Sequence, residues 1–341
     1  MHVAIDIDQT IYACGFAAEG EDISHALGNV KRKINETIKA CQADTWSVHM
    51  AGEGNFRKDI AITQEYKGNR KAARPSNYDE IRSYLREVWS AEESTGMEAD
   101  DSVSILLWED YLKCEGNKEL STLILASPDK DLNNTPGWHY NPQKDSIRWV
   151  TLDQANRHFW YQMLTGDSTD NIKGLPFCAG ETVFKYGLSK AALRGCGAAS
   201  AKKVMEASSD AMDAKRDVID AYLAWGTQEG MSESQIRDYM IEQGQLLWMI
   251  REYDEFGEPR MFTIEESDFV RRESGETGYE GDRPDEAGAS GGSLEPDTGG
   301  TGIGWELHRG SGEGGRVTSI VEPCRPDGTD TTRDGETGGV E

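Results

Sequence analysis

Short apolar runs that alternate with amphipathic stretches constrain the fold of this chain more than any other feature. Residues 3–7, which begin with Val3-Ala4-Ile5, are too short and too apolar for an amphipathic helix and predict a buried parallel strand. Residues 120–126, which end with Leu123-Ile124-Leu125-Ala126, predict a second buried strand. Elsewhere the patterns predict a strand over 45–50, helices over 25–41, 78–90, 100–112, 152–164 and 232–250, and a helical region over 195–225. Strands that alternate with helices over this length predict an α/β fold, with a parallel sheet flanked by helices.

Nine acidic residues lie in short clusters that follow or end these predicted elements. They are Asp6 and Asp8; Glu98, Asp100 and Asp101; Asp129 and Asp131; and Asp167 and Asp170. Ligands of open α/β sheets gather at the carboxyl ends of the strands, so we expect the clusters to converge. So many negative charges repel one another unless a cation lies between them. Oxygen ligands without His or Cys favour Mg²⁺ or Mn²⁺ over zinc.

Each acidic cluster taken alone has an ordinary structural explanation. Residues 98–101 can be an acidic helix start, which the free N–H groups and the helix dipole favour. Residues 127–131 can be a polar turn, although an extended chain would place Asp129 and Asp131 on the same side. Residues 164–171 can be a loop or cap. The joint order, with each cluster beside an apolar element, favours the metal site.

A basic stretch lies between the second predicted strand and residue 75. It contains Arg57, Lys58, Lys67, Arg70, Lys71 and Arg74 against Asp59 and Glu65. Most charge runs are solvated surface. Opposite an acidic metal site, however, this stretch favours a positive gate for a phosphate backbone.

Charge is unevenly distributed along the 341 residues. The net charge is −25; residues 271–341 hold 16 acids against seven Arg, a net of −9, which leaves −16 for the rest. That Gly-rich segment predicts a disordered acidic tail. The negative total does not exclude nucleic acid, because binding depends on local patches.

The six cysteines show no CxxC spacing, which is typical of a reducing compartment. The amino terminus lacks the pattern of a signal peptide, and no apolar run is long enough to span a bilayer. We therefore expect a cytoplasmic protein, in a bacterium or a phage-infected host, that does not bind a membrane.

The order of the motifs resembles the 5′→3′ exonuclease and flap endonuclease family, which includes phage exonucleases and the amino-terminal nuclease domain of bacterial DNA polymerase I. The matching stretches are Ile5–Asp8, Asn55–Lys58, Tyr66–Arg70, Glu98–Asp101, Ser127–Leu132 and Leu164–Ile172, within roughly residues 1–210. The resemblance implies a PIN-like or Rossmann-like sheet with a basic arch at 55–75. It also implies cleavage of DNA phosphodiesters at a 5′ end or flap, in replication or recombination.

The family's carboxylates bind two divalent ions that flank the scissile phosphate. The resemblance assigns the first Mg²⁺ or Mn²⁺ ion to Asp6, Glu98, Asp100, Asp129 and Asp131, with Asp101 adjacent, and completes the second with Asp167 and Asp170. Asp8 is left open as a supporting group or a polar strand end. Lys67 and Arg70 would contact the scissile phosphate, and Tyr66 would stack on a terminal base.

Residues 195–203 resemble the family's helix–hairpin–helix turn. The residues implied to bind DNA are Gly195, Gly197, Lys202 and Lys203 at this turn, with K⁺ as a further cation there, and Arg57, Lys58 and Lys71 in the arch. The predicted domains are a nuclease core at 1–165, a helical DNA-binding subdomain at 166–270 and the tail at 271–341.

Two departures from the family pattern keep alternatives open. The usual Asp after the second strand is missing or displaced to Glu53, and residues 177–194 separate the expected Gly-Leu-Pro from the hairpin. One alternative is a catalytically weak structure-specific DNA-binding protein. Another is a PIN-type ribonuclease, and an RNA–DNA hybrid is compatible with the main interpretation.

Overall fold

The computed structural model describes residues 1–70, 73–176 and 196–269. The strands are β1 (His2–Asp6), β2 (Thr45–Ala51), β3 (Glu92–Ser94), β4 (Leu123–Ala126), β5 (Gly137–Asn141) and β6 (Ser146–Val150). The helices are α1 (Asp8–Ala17), α2 (Ile23–Ala40), α3 (Arg57–Ile60), α4 (Tyr78–Trp89), α5 (Ala99–Lys113), α6 (Leu152–Thr165), α7 (Ala198–Ala207), α8 (Ala211–Gln228) and α9 (Glu233–Leu247).

The strands form one sheet in the order β3-β2-β1-β4-β5-β6. All neighbouring pairs are parallel except β5 and β6, which form an antiparallel hairpin. The predicted α/β fold is confirmed. The chain runs outward from β1 through β2 to β3, and then returns to the other side of β1 with β4. Such a reversal opens a crevice at the carboxyl ends of the two central strands.

Helices cover both faces of the sheet because the side chains of β1 and β4 alternate between two apolar clusters. Val3, Ile5 and Ile124 belong to a cluster that includes buried residues of α1, α2 and α4. Ala4 and Leu125 belong to another, which they share with Val103 and Leu107 of α5. Strands buried on both faces are held rigidly, so the residues that follow them are well positioned.

Helices α6 to α9 form a separate apolar cluster around Phe159, Tyr222 and Met240. The hydroxyl of Tyr222 donates to the Met163 carbonyl oxygen at 2.6 Å, which ties α8 to α6. The predicted domain boundaries stay a prediction. Gly195, Lys71, the whole 177–194 insert and the predicted tail at 271–341 lie outside the described residues.

Several elements were not predicted from the sequence. Helix α1 begins two residues after β1, without the turn signal that usually separates two elements. The β5–β6 hairpin was missed although its polar connection at 142–145 is a turn signal. In the described residues, no helix is long and apolar enough to cross a membrane.

Candidate metal and phosphate site

A cleft of about 800 Å³ opens at the carboxyl ends of β1 and β4. Eight of the nine predicted acids line it: Asp6, Asp8, Glu98, Asp100, Asp129, Asp131, Asp167 and Asp170. The sheet reversal therefore brings together carboxylates that lie up to 164 positions apart (170 minus 6) in the sequence. The exception is Asp101.

Asp6 and Asp8 lie at the end of β1 and are held by hydrogen bonds to the neighbouring strands. Asp6 accepts from the Ser127 hydroxyl at 2.8 Å, and from the Asp8 backbone N–H at 3.2 Å. Both oxygens of Asp8 accept from the backbone N–H of Ala51, the last residue of β2, at 3.1 and 3.2 Å. Asp8 therefore combines a place in the cleft with a structural contact to β2.

Asp129 and Asp131 follow β4, but they do not lie on an extended chain. Asp131 begins a short 3₁₀ helix, and its backbone N–H donates to Asp129 Oδ1 at 2.9 Å. The extended spacing predicted for this pair was wrong, because a polar turn forms directly after the strand. Both carboxylates still line the cleft, and Gln162 Nε2 of α6 donates to Asp131 at 2.6 Å.

Asp101 and Arg57 form a buried ion pair, and neither residue lines the cleft. The guanidinium of Arg57 donates to both oxygens of Asp101, at 2.6 and 2.8 Å, and both side chains are fully buried. Asp101 also accepts from the backbone N–H groups of Glu98 and Ile250. Neither side chain faces solvent, so this geometry gives no support to the predicted metal contact of Asp101 or the predicted DNA contact of Arg57, and both stay predictions.

Tyr66, Lys67 and Arg70 point into the cleft and contact its acidic rim. The Tyr66 hydroxyl donates to Glu98 and Asp170 at 2.8 and 2.9 Å, and the ring is 4% exposed. This burial leaves little of Tyr66 open to a base, and its hydroxyl instead links two carboxylates; its predicted role in stacking stays a prediction. Lys67 pairs with Glu98 and lies 3.6 Å from Asp170, while Arg70 pairs with Asp170.

Asp167 lies in the loop after α6 and pairs with a residue that was not predicted to act in the site. Lys130 Nζ lies 2.9 Å from Asp167 Oδ2 and 3.7 Å from Asp131 Oδ1. Lys130 lies between two predicted ligands, and this position was the signal that could have identified it. Ser127 and Gln162 were also missed, since a single Ser or Gln carries no pattern of its own.

The remaining carboxylates form an inner group that consists of Asp6, Asp8, Asp100 and Asp129. Among the described residues, no Lys, Arg or His nitrogen lies within 4.0 Å of their oxygens, whereas each of the other four has such a partner. The structure therefore separates the cleft acids into an inner group without basic partners and an outer group with them.

Burial and mutual repulsion raise the pKa of several cleft acids. Burial first, and then the negative charge of Asp8, raises the pKa of Asp6 to about 7. Burial, followed by Asp6 and Asp129, raises the pKa of Asp100 well above its usual value. Burial and Asp129 raise the pKa of Asp131 to about 7. Burial raises that of Asp8 as well.

The outer group behaves in the opposite way where a basic side chain is close. Burial alone would raise the pKa of Glu98, but Lys67 and Arg57 lower it below its usual value. Burial would likewise raise the pKa of Asp167, and the hydrogen bond and charge of Lys130 lower it. The ammonium and guanidinium groups of the chain thus stabilise the ionised form of these two acids.

With the side chains in these positions, the described part of the chain holds no group of three or more His, Cys, Asp or Glu residues placed so that it could hold a metal ion. The ligand assignments therefore stay predictions. Glu53, the proposed replacement for the missing second-strand acid, lines a neighbouring cleft of about 1090 Å³ and not the acidic one. Lys58 lines that neighbouring cleft too, so its predicted DNA contact stays open.

At the predicted hairpin, Gly197 caps α7, and Lys202 and Lys203 lie on that helix. Lys202 lies 3.5 Å from Glu206. A Cβ added to Gly197 would meet nothing within 4 Å, so the described fold does not itself require glycine there. The DNA and K⁺ roles of this turn stay predictions.

No family model and no curated protein matches the chain. Among solved structures, it is similar to bacteriophage T5 5′-exonuclease bound to zinc, with 16% identity, a TM-score of 0.40, and coverage of 73% of this chain and 100% of that one. A complex of bacteriophage T5 flap endonuclease with DNA and metal ions has 15% identity and a TM-score of 0.39, and the match covers 72% of this chain and 99% of that one. The catalytic core of Rad2 with DNA substrate has 12% identity and a TM-score of 0.36, and the match covers 69% of each chain. These proteins belong to the class that the motifs resemble, but TM-scores below 0.5 add no weight to the assignment.

Proposed function

We propose that this chain is a divalent-metal-dependent nuclease that hydrolyses phosphodiester bonds of DNA at a 5′ end or flap. The observation that carries the proposal is the inner group of the cleft, where four carboxylates lie together and, among the described residues, no basic side chain pairs with them. Burial and the charges of neighbouring acids raise the pKa of Asp6 and of Asp100. Partly desolvated carboxylates that repel one another are stabilised by a cation held between them. The all-oxygen donor set fits Mg²⁺ or Mn²⁺.

The residues of the cleft divide the work that such a reaction requires. Asp6, Asp100 and Asp129 would hold one ion, with Glu98 at its edge. Asp167 and Asp170 would complete a second, and Asp131, which shares the Lys130 ammonium with Asp167, would serve both positions. Bound there, the ions would supply an activated water and stabilise the leaving oxygen. Ser127 and Tyr66 fix the orientation of the acids to which they donate.

Lys67 and Arg70 are the groups suited to meet the phosphate. Both lie at the rim of the acidic cleft, and Arg70 is about half exposed, with its side chain at 47%. Were Glu98 and Asp170 to hold a metal ion, the N–H donors of Lys67 and Arg70 would be available to bind phosphate oxygens. The choice of DNA and of a 5′ end is supported by the motif order described above.

The test is cleavage of 5′-flap and blunt duplexes, labelled at either end, with Mg²⁺, with Mn²⁺ and with chelator. Asp129→Ala and Asp167→Ala variants are compared with Glu87→Ala, which removes an exposed acid on α4 outside the cleft. We expect metal-dependent products in the wild type and in Glu87→Ala, and a loss of at least 100-fold in Asp129→Ala.

Binding of the duplex without cleavage in either metal would refute the nuclease and leave a DNA-binding protein. That outcome has a structural basis, since β2 contains no acid and Glu53, which follows it, does not line the acidic cleft. Preferential cleavage of RNA in a competition assay would instead favour the PIN-type ribonuclease.

A further inference from the structure

Lys130 occupies a position in the cleft that its neighbours make unusual for a lysine. It lies between Asp129 and Asp131 in the chain, and its ammonium bridges Asp131 and Asp167, which belong to separate segments. The Asp167 side chain is 3% exposed, whereas that of Lys130 is 63% exposed. The charged head therefore reaches into the outer group while most of the side chain remains in solvent.

The Lys130 ammonium contacts carboxylate oxygens of Asp131 and Asp167. A divalent ion that binds these two carboxylates would need the same oxygens as ligands. Asp167 Oδ2 and Asp131 Oδ1 are the atoms that face Lys130 Nζ. An ammonium and a metal ion cannot share those lone pairs at close range, because two like charges a few ångströms apart repel strongly. The exposed stem lets Lys130 leave without any loss of core packing.

We propose that Lys130 is an internal competitor that occupies the Asp131–Asp167 pair and must be displaced before a divalent ion binds there. This inference rests on the proposed function, because it concerns the second of the two ion positions. It makes the two positions unequal: the inner group has no basic partner to displace, whereas the outer pair does. The inner position therefore fills first, and the outer one fills at higher metal concentration.

The experiment is a titration with Mn²⁺ alone, without DNA, in which free Mn²⁺ is measured by electron paramagnetic resonance. The variants are Lys130→Met and Lys144→Met. Lys144 lines the same cleft, and among the described residues no acid lies within 4.0 Å of its ammonium, so its removal changes the cleft charge equally. A Lys130→Arg variant keeps the competing cation, and Asp167→Asn identifies the outer position.

We expect two classes of Mn²⁺ site in the wild type, of which the weaker is lost in Asp167→Asn. Lys130→Met should tighten the weaker class about tenfold, an effect of about 1.4 kcal/mol. Lys144→Met should change it less than about threefold, as expected for a solvent-screened charge. Lys130→Arg should leave it as weak as in the wild type.

Equal affinities in Lys130→Met and Lys144→Met would overturn the competition, because a general effect of charge would then suffice. A weaker class that survives in Asp167→Asn would also overturn it. Failure of the wild type and of every variant to bind Mn²⁺ would instead refute the proposed function, so the two failures are distinguishable.

Discussion

The buried pair of Arg57 and Asp101 gives the most quantitative test of the structure, because it separates a structural acid from its neighbours in the site. Arg57 is fully buried and also donates to the carbonyl oxygens of Leu246 and Trp248, at 3.1 and 2.7 Å. The pair thus joins α3, the start of α5 and the end of α9. Removal of Arg57 leaves the Asp101 charge buried without its partner, and removal of Asp101 leaves Arg57 with only the more distant Glu98, 3.8 Å away.

We expect Asp101→Asn to lower the free energy of unfolding by about 3–5 kcal/mol, the usual cost of breaking a buried ion pair. Arg57→Met should cost a similar amount. The double variant Arg57→Met/Asp101→Leu should cost less than the sum of the two single changes, because it leaves no unpaired charge. Arg32→Met, which breaks an exposed pair with Glu36, should cost about 0.5 kcal/mol or less.

Urea unfolding measures these differences as shifts in midpoint at constant slope. A parallel Mn²⁺ titration under native conditions should give wild-type binding for the folded Asp101→Asn protein. The reasoning is refuted if Asp101→Asn is as stable as Arg32→Met and yet loses a Mn²⁺ site, since Asp101 would then be a ligand after all.

The cleft and the predicted helix–hairpin–helix turn give three further predictions. Asp6 has a folded-state pKa of about 7, above its unfolded value. Between about pH 4 and 7 the folded state therefore keeps a proton that the unfolded state has lost, and the free energy of unfolding falls as the pH rises through this range. Burial lowers the pKa of His49, His139 and His158, so these residues lower the stability of the folded state as the pH falls, and the wild-type profile alone does not isolate Asp6. The test is therefore the difference in Tm between Asp6→Asn and the wild type, measured in chelator. This difference should be larger at pH 7.5 than at pH 5, and a larger gain at pH 5 would contradict the prediction. Tyr66→Phe should keep the fold but slow cleavage about tenfold, because Glu98 and Asp170 lose their shared donor; unchanged kcat would exclude a positioning role. Gly197→Ala should leave Tm unchanged or slightly raised but weaken duplex binding in a titration. The control Gly226→Ala should destabilise the protein, because its Cβ would lie 2.2 Å from Ile236. Unchanged DNA affinity in Gly197→Ala would argue against the predicted helix–hairpin–helix turn.

The sequence predicted the sheet and the convergence of the acids because both depend on patterns that repeat along the chain. Apolar runs such as Leu123–Ala126 identify buried strands, and parallel strands place their carboxyl ends at one edge. Eight acids in one cleft follow from these two facts. The sheet topology explains why the acids converge: β1 and β4 are neighbours at the point where the strand order reverses, so the acids that follow them lie at one crevice.

The individual role of each charged side chain could not be predicted, because it depends on tertiary partners. Asp100 and Asp101 are adjacent in sequence, yet successive helix positions differ by about 100° in direction, so one faces the cleft and the other faces Arg57. Arg57 and Lys67 looked equivalent within the basic stretch, but one is buried and the other lines the cleft. Lys130 acquired its contact only through the loop that carries Asp167.

The most direct test of the central claim is a crystal structure of the protein with Mn²⁺, located by anomalous scattering. We predict one peak among Asp6, Asp100 and Asp129 at low Mn²⁺ concentration. A second peak should appear beside Asp131 and Asp167 at higher concentration, with Lys130 displaced. An anomalous map with no peak in the cleft, while the four inner carboxylates remain together without a cation, would contradict the account.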